Sequence, residues 1–261
     1  MNQPLAYVDP GAKVASNVVI EPFTTIHKNV VIEEGTWIGT NVTIMEGARI
    51  GKNVKIYPGS VISAPPQDIK FDGGDTLCFV GEGTIIREHC TIHRGTHSLG
   101  KTEVGKNVFM MVGSHVAHDC IVGDHAILVN NVAVGGHCYV GEYAIIGGLS
   151  AVHQFTSVGA HSMIGGVLRI TKDVPPFTKA AKEPICYVGI NSIGLRRRGY
   201  DAEKIREIQN IYRVIYQSNK NVTQAVEYIE AEFPATPERD DILSFIRNSK
   251  RGIMRGIRPR E

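Results

Sequence analysis

The sequence predicts an all-β solenoid, a parallel β-helix with triangular coils, followed by a small C-terminal α-helical domain. Apolar residues recur every six positions through two thirds of the chain, and small or β-branched residues stand two positions before them. A period of six fits neither the 3.6-residue turn of a helix nor the simple alternation of an isolated strand. It requires a short strand followed by a corner, and three such hexapeptide repeats close one triangular coil.

The apolar series begins at Val8 and continues in steps of six to Ile170. Of its 28 positions, those that are not apolar are only Asp68, Gly74 and Ser98. These positions predict two loops, near residues 63–78 and 94–103. The small residue two positions earlier is expected to fill the crowded interior of the coil, where a larger side chain would not fit.

Beyond Pro175 and Pro176 the six-residue pattern stops. Asp201 is a typical helix N-cap, and the apolar residues that follow it have helical spacing as far as Tyr216. Two later apolar stripes predict two more helices, with prolines between them. The predicted domains are therefore a β-helix over 1–176 and a helical domain over 177–261.

Charge is distributed unequally between these two predicted domains. Residues 1–176 contain 12 Lys and Arg against 15 Asp and Glu, a net charge of −3, whereas residues 177–261 contain 16 against 11, a net charge of +5. The basic end is expected to attract a phosphorylated ligand or an acidic protein. Nucleic acid is not predicted, because few aromatic residues lie among the cations. The sequence has neither a secretion signal nor a long apolar stretch, so we expect a cytoplasmic protein without a membrane span.

Cysteines and histidines occupy different positions in the repeat. Four of the five cysteines take the small inward position and are predicted to be core residues: Cys78, Cys90, Cys120 and Cys138. Their odd number and irregular spacing do not indicate a disulfide framework. None of the ten histidines takes an inward position. All of them are therefore expected to face solvent, a loop or another subunit.

The predicted coil length gathers several polar residues on one edge. The repeat is uninterrupted from 104 to 170, so residues 18 apart should stack. The edge that includes Gly136 then contains His115, His118, Asp119, His137, His153 and Gln154, while His125 and His161 lie on another edge. Such a histidine cluster could bind zinc. The carboxylate beside His118 and the glycine above it favour proton transfer to or from a substrate, and we predict no metal.

Several motifs cover nearly the whole chain: Pro65–Lys70, Thr91–Thr96, Gly113–Cys120 (GSHVAHDC), Ala151–Phe155 (AVHQF), Asp173–Pro176 and Gly194–Tyr200. Together they resemble the UDP-N-acetylglucosamine O-acyltransferase family. The resemblance implies left-handed coils and a homotrimer with sites between subunits. It also implies transfer of an (R)-3-hydroxyacyl group from acyl carrier protein to the 3-position of UDP-N-acetylglucosamine, the first step of lipid A biosynthesis. No cofactor is expected, because the acyl group arrives as a carrier thioester.

The same resemblance assigns roles to individual residues. His118 would be the general base, Asp119 would orient it, and the Gly136 N–H would stabilise the oxyanion. The residues implied to bind the sugar nucleotide and acyl head are Gln67, Asp68, Lys70, His115, His137, His153, Gln154, Asn191 and Arg197. Arg198 and its neighbours would meet the acidic carrier. Met163 and Gly166 match the region where the acyl chain ends.

Three alternatives remain open from the sequence. Many family members have an acid in the nucleotide-binding segment where this chain has Ile193. The contacts to the uridine end are therefore open, and so is an amino-sugar acceptor. Bare hexapeptide repeats also suit a sugar acetyltransferase that uses acetyl-CoA. A non-catalytic solenoid scaffold is the third alternative.

Overall fold

The computed structural model describes residues 5–257, so residues 1–4 and 258–261 of the two predicted domains lie outside it. Three sheets form the faces of the coils. Sheet 1 contains β1 (Tyr7–Val8), β4 (Thr25–Ile26), β7 (Thr43–Ile44), β10 (Val61–Ala64), β13 (Thr91–His93), β16 (His115–Val116), β19 (Ala133–Val134), β22 (Ala151–Val152) and β25 (Arg169–Ile170). Sheet 2 contains β2 (Lys13–Val14), β5 (Val31–Ile32), β8 (Ala48–Ile50), β11 (Leu77–Val80), β14 (Lys101–Val104), β17 (Ile121–Val122), β20 (Tyr139–Val140) and β23 (Ser157–Val158). Sheet 3 begins with β3 (Val19–Ile20), β6 (Trp37–Ile38), β9 (Lys55–Ile56), β12 (Ile85–Ile86), β15 (Phe109–Met110), β18 (Ile127–Leu128), β21 (Ile145–Ile146) and β24 (Met163–Ile164).

Strand pairing confirms the coil length that the sequence predicts. His115 pairs with Ala133, 18 residues further on, and the pairing is parallel. Two pairs are spaced more widely, because Cys78 pairs both with Ala48 and with Thr102. Two extra hexads and one extra hexad therefore leave the coils as loops, at residues 65–76 and 94–100. These hexads contain the three positions where the apolar series fails.

The apolar series forms the core. From Ile20 to Ile170, its members outside the loops are buried, whereas Val8 and Val14 in the first coil are only partly covered. The small inward residues do more than fill space, because several donate a hydrogen bond to a corner carbonyl 15 residues further on. These bonds are Thr24 to Gly39 O (2.8 Å), Thr36 to Gly51 O (2.9 Å), Cys120 to Gly135 O (3.0 Å), Cys138 to His153 O (3.2 Å) and Ser150 to Gly165 O (3.2 Å).

The segment after Pro176 contains strands as well as helices, which corrects the prediction of a purely helical domain. Sheet 3 continues through β26 (Thr178–Ala181), β27 (Cys186–Ile190) and β28 (Arg255–Gly256). Strand β26 pairs with β24 at a spacing of 16 residues, since Met163 lies opposite Lys179. It was missed because a search at spacings of six and 18 does not detect a 16-residue coil.

The predicted helices are present. They are α1 (Ser192–Arg197), α2 (Ala202–Gln217), α3 (Val222–Glu232) and α4 (Pro237–Asn248). Asp201 caps α2, as predicted, by accepting a hydrogen bond from Lys204 N. Pro237 takes the first position of α4, where its missing N–H costs no helical hydrogen bond. Among residues 5–257, no helix has both the length and the apolar character that a membrane crossing requires.

Candidate active site

The centre of the candidate site is a hydrogen bond between two consecutive residues at the corner after β16. His118 Nδ1 lies 2.8 Å from Asp119 Oδ2, and the Asp119 residue is buried. A carboxylate only accepts hydrogen bonds, so Nδ1 carries the proton and Nε2 keeps its lone pair. The His118 side chain is 13% exposed, which leaves the ring accessible from outside. This arrangement suits a general base.

Asp119 is held by residues of the second loop. Its carboxylate accepts hydrogen bonds from Thr96 N (3.0 Å), Thr96 Oγ1 (2.6 Å) and Leu99 N (3.2 Å). Burial alone would raise the pKa of this carboxyl, but the hydrogen bonds from Thr96, His118 and Leu99 outweigh it and lower the pKa. Asp119 is therefore an anion with a fixed orientation, and the loop is tied to the base.

Gly136 stacks one coil beyond His118, as the 18-residue spacing predicts. A Cβ at Gly136 would lie only 2.8 Å from His118 Nε2, so any side chain here would displace the ring. The Gly136 N–H donates to no acceptor in the described part of the chain. The N–H groups of His118 and Gln154, at the same corner of the neighbouring coils, are also free. Gly136 differs from them because it leaves open space beside its N–H.

His137 also belongs to this corner. Its ring packs edge-on against His118, with 5.1 Å between centroids, and its Nε2 lies 3.7 Å from Asp119 Oδ2. The other side of the His137 ring stacks on Phe155. Ligand atoms of His118, Asp119 and His137 all lie within 4.8 Å of one another, so metal analysis remains the test of the zinc alternative.

Two further histidines lie beside the corner, and the sequence identified only one of them. His115 Nδ1 is 2.7 Å from Thr91 Oγ1, and its ring packs edge-on against His93. Burial, with the nearby His115 and His118, lowers the pKa of His93 to about 4. Burial, followed by His118, also lowers the pKa of His115. Both rings are therefore neutral near pH 7.

His93 was missed because the inserted hexad at 94–100 changes the stacking distance from 18 to 24 residues. Adding the six residues of that loop would have placed His93 beside Ala117, next to the base. The expectation that all histidines face solvent, a loop or another subunit is also corrected, since His93 and His161 are both buried. His161 stacks between Tyr143 and Phe177 at another corner. His125 stacks on Tyr143 in the same column, so the predicted separation of the two edges is observed.

The remaining predicted residues of this edge lie further out. His153 and Gln154 are exposed, and His153 Nδ1 lies 3.0 Å from Gln154 O. In the first loop, Gln67 and Lys70 are exposed, and Asp68 accepts a hydrogen bond from Lys70 N. Within residues 5–257, no hydrogen bond or ion pair joins these five side chains to His118.

The first loop reaches the base through the second loop. Phe71 packs on His97, with 5.8 Å between ring centroids, and Asp72 Oδ1 lies 2.8 Å from His97 Nε2. His97 follows Thr96, which binds Asp119. The two insertions therefore form one connected structure beside the general base.

Comparison with known proteins identifies the family. A family model described as "Udp N-acetylglucosamine O-acyltransferase; Domain 2" matches residues 173–254, and the bacterial transferase hexapeptide model matches residues 29–64. The chain is 54% identical to the acyl-(acyl-carrier-protein)–UDP-N-acetylglucosamine O-acyltransferase of Sulfurihydrogenibium sp., over 96% of this chain and 93% of that protein. It is 60% identical to the enzyme of the same name from Chlorobium phaeobacteroides, over 95% and 94%. The chain belongs to this acyltransferase family.

Solved structures agree with this assignment. A UDP-N-acetylglucosamine acyltransferase from Bacteroides fragilis superposes with a TM-score of 0.96 at 48% identity, covering 98% of this chain and 100% of that one. The enzyme from Acinetobacter baumannii gives 0.94 at 39% identity, covering 97% and 99%. The protein is thus an acyltransferase, and the scaffold alternative is wrong.

In this acyltransferase, the predicted nucleotide and carrier contacts near α1 differ in their surroundings. The Asn191 side chain is buried, donates to His161 O (2.9 Å) and accepts from Gly194 N, so it is already fully used within the chain. Arg198 donates to Tyr143 O (3.0 Å), and its guanidinium lies over the Tyr143 ring. This geometry does not match the expectation that Arg198 faces the carrier. Arg197 is exposed.

Met163 and Gly166 lie at a different corner of the acyltransferase coil from His118. Met163 belongs to β24 of sheet 3 and is 38% exposed, whereas His118 follows a strand of sheet 1. Gly166 stacks on Gly148, and a Cβ there would lie 3.1 Å from Gly148 O. One chain therefore does not bring the predicted acyl-length residues to the base.

Proposed function

We propose that this acyltransferase moves an (R)-3-hydroxyacyl group from acyl carrier protein to the 3-hydroxyl of UDP-N-acetylglucosamine, the first step of lipid A biosynthesis. The observation that carries the proposal is the corner where His118 is oriented by a buried Asp119 beside the unpaired N–H of Gly136. The printed names of the relatives supply the donor and the acceptor.

His118 Nε2 removes the proton of the sugar hydroxyl while that oxygen attacks the thioester carbonyl. Asp119 stabilises the imidazolium that forms, because its carboxylate accepts the Nδ1–H bond. The Gly136 N–H donates to the oxyanion. Collapse of the intermediate breaks the C–S bond, and the carrier thiolate takes the proton from His118. The thioester is already activated, so the proposed reaction needs no cofactor.

The remaining contacts are proposals of the same kind. The side chains proposed to bind the sugar nucleotide and acyl head are Gln67, Asp68, Lys70, His115, His137, His153, Gln154, Asn191 and Arg197. Their support is the linkage of the 65–76 loop to Thr96 and Asp119. Arg197 is the exposed cation through which we propose that the phosphate is held, and the carrier docks on the basic residues that surround it.

We further propose a cytoplasmic homotrimer of left-handed coils, with each site shared by two chains. The placement of Met163 and Gly166 supports this, since they reach His118 only if they come from a neighbouring copy. The division between the β-helix and the C-terminal domain is proposed at residue 176.

The test is an acyl-transfer assay with purified protein. UDP-N-acetylglucosamine is incubated with 3-hydroxyacyl carrier protein or with acetyl-CoA, and thiol release and product mass are measured. We expect an ester product from the carrier thioester only. Reaction with acetyl-CoA alone would favour the sugar acetyltransferase, and product only with an amino-sugar acceptor would contradict the proposed acceptor atom.

A further inference from the structure

Cys120 occupies the inward position behind the candidate active site, and its residue is fully buried. Its Sγ lies 3.0 Å from Gly135 O. Burial and the neighbouring Cys138 raise the pKa of the Cys120 thiol well above its ordinary value, so the sulfur keeps its proton and donates. In the described part of the chain, Gly135 O accepts no other hydrogen bond.

Gly135 O and the Gly136 N–H belong to the same peptide group. In a trans peptide these two groups point in opposite directions. A donor that holds the oxygen towards the core therefore holds the N–H outwards, beside His118. The groups on either side of this peptide are anchored by the backbone, since Gly135 N donates to Val152 O and Gly136 O accepts from Phe155 N. The thiol is the anchor of the peptide between them.

Glycine makes this anchor necessary. Both residues of the peptide lack a side chain, so steric restriction of their backbone angles is weak. A second effect acts in the same direction, because a hydrogen bond to a peptide oxygen polarises the group and strengthens its N–H as a donor.

We propose that Cys120 is a positioning residue for acyl transfer: its thiol fixes and polarises the Gly135–Gly136 peptide whose N–H stabilises the oxyanion. The inference rests on the proposed function and deepens it. It also gives a role to a residue that the sequence identified only as core filler.

The chain contains a matched control. Cys90 has the same side chain, takes the same inward position and is also fully buried. Its Sγ donates to Met111 O at 3.1 Å, which follows a strand of sheet 3 and lies at a different corner from His118. Met111 O also accepts from Ser114 N, so losing the thiol does not leave it unpaired. Alanine and valine both occupy this inward position elsewhere, for example Ala126 and Val132, so either can replace cysteine without disrupting the coil.

The experiment compares full-length Cys120→Ala, Cys120→Val, Cys120→Ser and Cys90→Ala in the transfer assay, together with their melting temperatures. We expect Cys120→Ala and Cys120→Val to lower kcat by roughly 3–10-fold with little change in KM, because the lost interaction acts on the transition state. Cys90→Ala should leave kcat within about twofold while lowering the melting temperature as much as Cys120→Ala. Cys120→Ser should restore kcat, since Ser150 makes the equivalent bond to Gly165 O.

Equal kcat values for Cys120→Ala and Cys90→Ala would overturn the inference, as would a loss confined to KM or a Cys120→Ser variant as slow as Cys120→Ala. If Cys120→Ala does not fold, Cys120→Val, which fills the position, decides the comparison. Wild-type protein that transfers no acyl group would contradict the proposed function itself, and this inference with it.

Discussion

At the residue scale, the candidate site depends on how one carboxylate is held. Asp119 Oδ2 accepts hydrogen bonds from both His118 Nδ1 and Thr96 Oγ1. The sequence identified His118, Asp119 and Gly136, because a fixed 18-residue spacing stacks them and the GSHVAHDC motif resembles a known family. It could not identify Thr96 as a partner, since Thr96 lies in an inserted hexad whose path no periodicity describes.

The Thr96 hydroxyl should affect catalysis through Asp119. We expect Thr96→Val to lower kcat by about 10-fold, because a charge-assisted hydrogen bond of roughly 1.5–3 kcal/mol is lost and the carboxylate can rotate away from His118. KM should change little, and Thr96→Ser should recover most of the activity. Steady-state kinetics of the three proteins measure this.

Thr84→Val is the control, because Thr84 is also buried and its hydroxyl donates to Gly105 O, away from Asp119. If Thr84→Val slows turnover as much as Thr96→Val, loss of stability would explain both variants and the role given to Thr96 would be wrong.

At the element scale, each coil is specified by hexads in which one residue points inwards and its neighbour outwards. The sequence predicted these strands well because every coil repeats the same packing problem. It did not predict β26 and β27, whose pairing breaks the repeat and instead forms an antiparallel hairpin. Pairing at the end of a sheet depends on which edge remains open, and that edge exists only once the coils have formed.

Neighbouring residues on one strand should respond very differently to a charge. Val134 is fully buried, whereas Ala133 beside it is exposed. Val134→Asp should prevent folding, since it places an unpaired carboxylate in a close-packed interior, while Ala133→Asp should remain folded. Circular dichroism and the soluble yield measure the difference. A soluble Val134→Asp protein with native melting behaviour would refute the inward register.

The column of stacked rings under α1 should make stability depend on pH. Burial, followed by the nearby Arg198, lowers the pKa of His161 to about 4 from an ordinary value of 6.5. The unfolded chain therefore binds more protons between these values, so the contribution of His161 is fully present above pH 6.5 and is lost as pH falls towards 4, to the extent of about 3 kcal/mol.

His161→Phe should reduce this loss, because phenylalanine has the shape of the stacking neighbour Phe177 and cannot bind a proton. Melting temperatures measured from pH 7 to pH 4 should fall less steeply for His161→Phe than for the wild type. His27→Phe, at an exposed-to-intermediate surface position, is the control and should keep the wild-type slope. Identical slopes for all three proteins would show that His161 does not control the acid response.

At the scale of the whole molecule, the residues predicted for one site lie at two corners of the coil. His118 follows sheet 1, and Gly166 follows sheet 3. The sequence identified both sets, but only through resemblance, because an 18-residue period describes one chain and contains no information about a neighbouring copy. The proposed trimer would bring the two corners together.

Gly166 should influence which acyl chains are accepted in that assembly. Gly166→Met adds four heavy atoms to the proposed acyl path, so preference should shift to donors shorter by several methylenes, each worth about 0.8 kcal/mol when buried. Overfilling would add strain of roughly 1–3 kcal/mol. Rates across a series of 3-hydroxyacyl carrier proteins measure the shift. If the wild type and the variant give parallel profiles, Gly166 is only a corner glycine.

The central claim is that one corner of the β-helix, and not another, performs acyl transfer with His118 as the base. The most direct measurement compares kcat for His118→Ala and His125→Ala with carrier thioester and UDP-N-acetylglucosamine, since His125 lies in the column of rings at a different corner. Neither side chain points into the core, so both variants should fold. We predict that His118→Ala loses about 10²-fold or more, the usual value of a general base, while His125→Ala stays close to wild type. Equal losses in the two variants, or a His118→Ala enzyme that keeps wild-type turnover, would contradict the account.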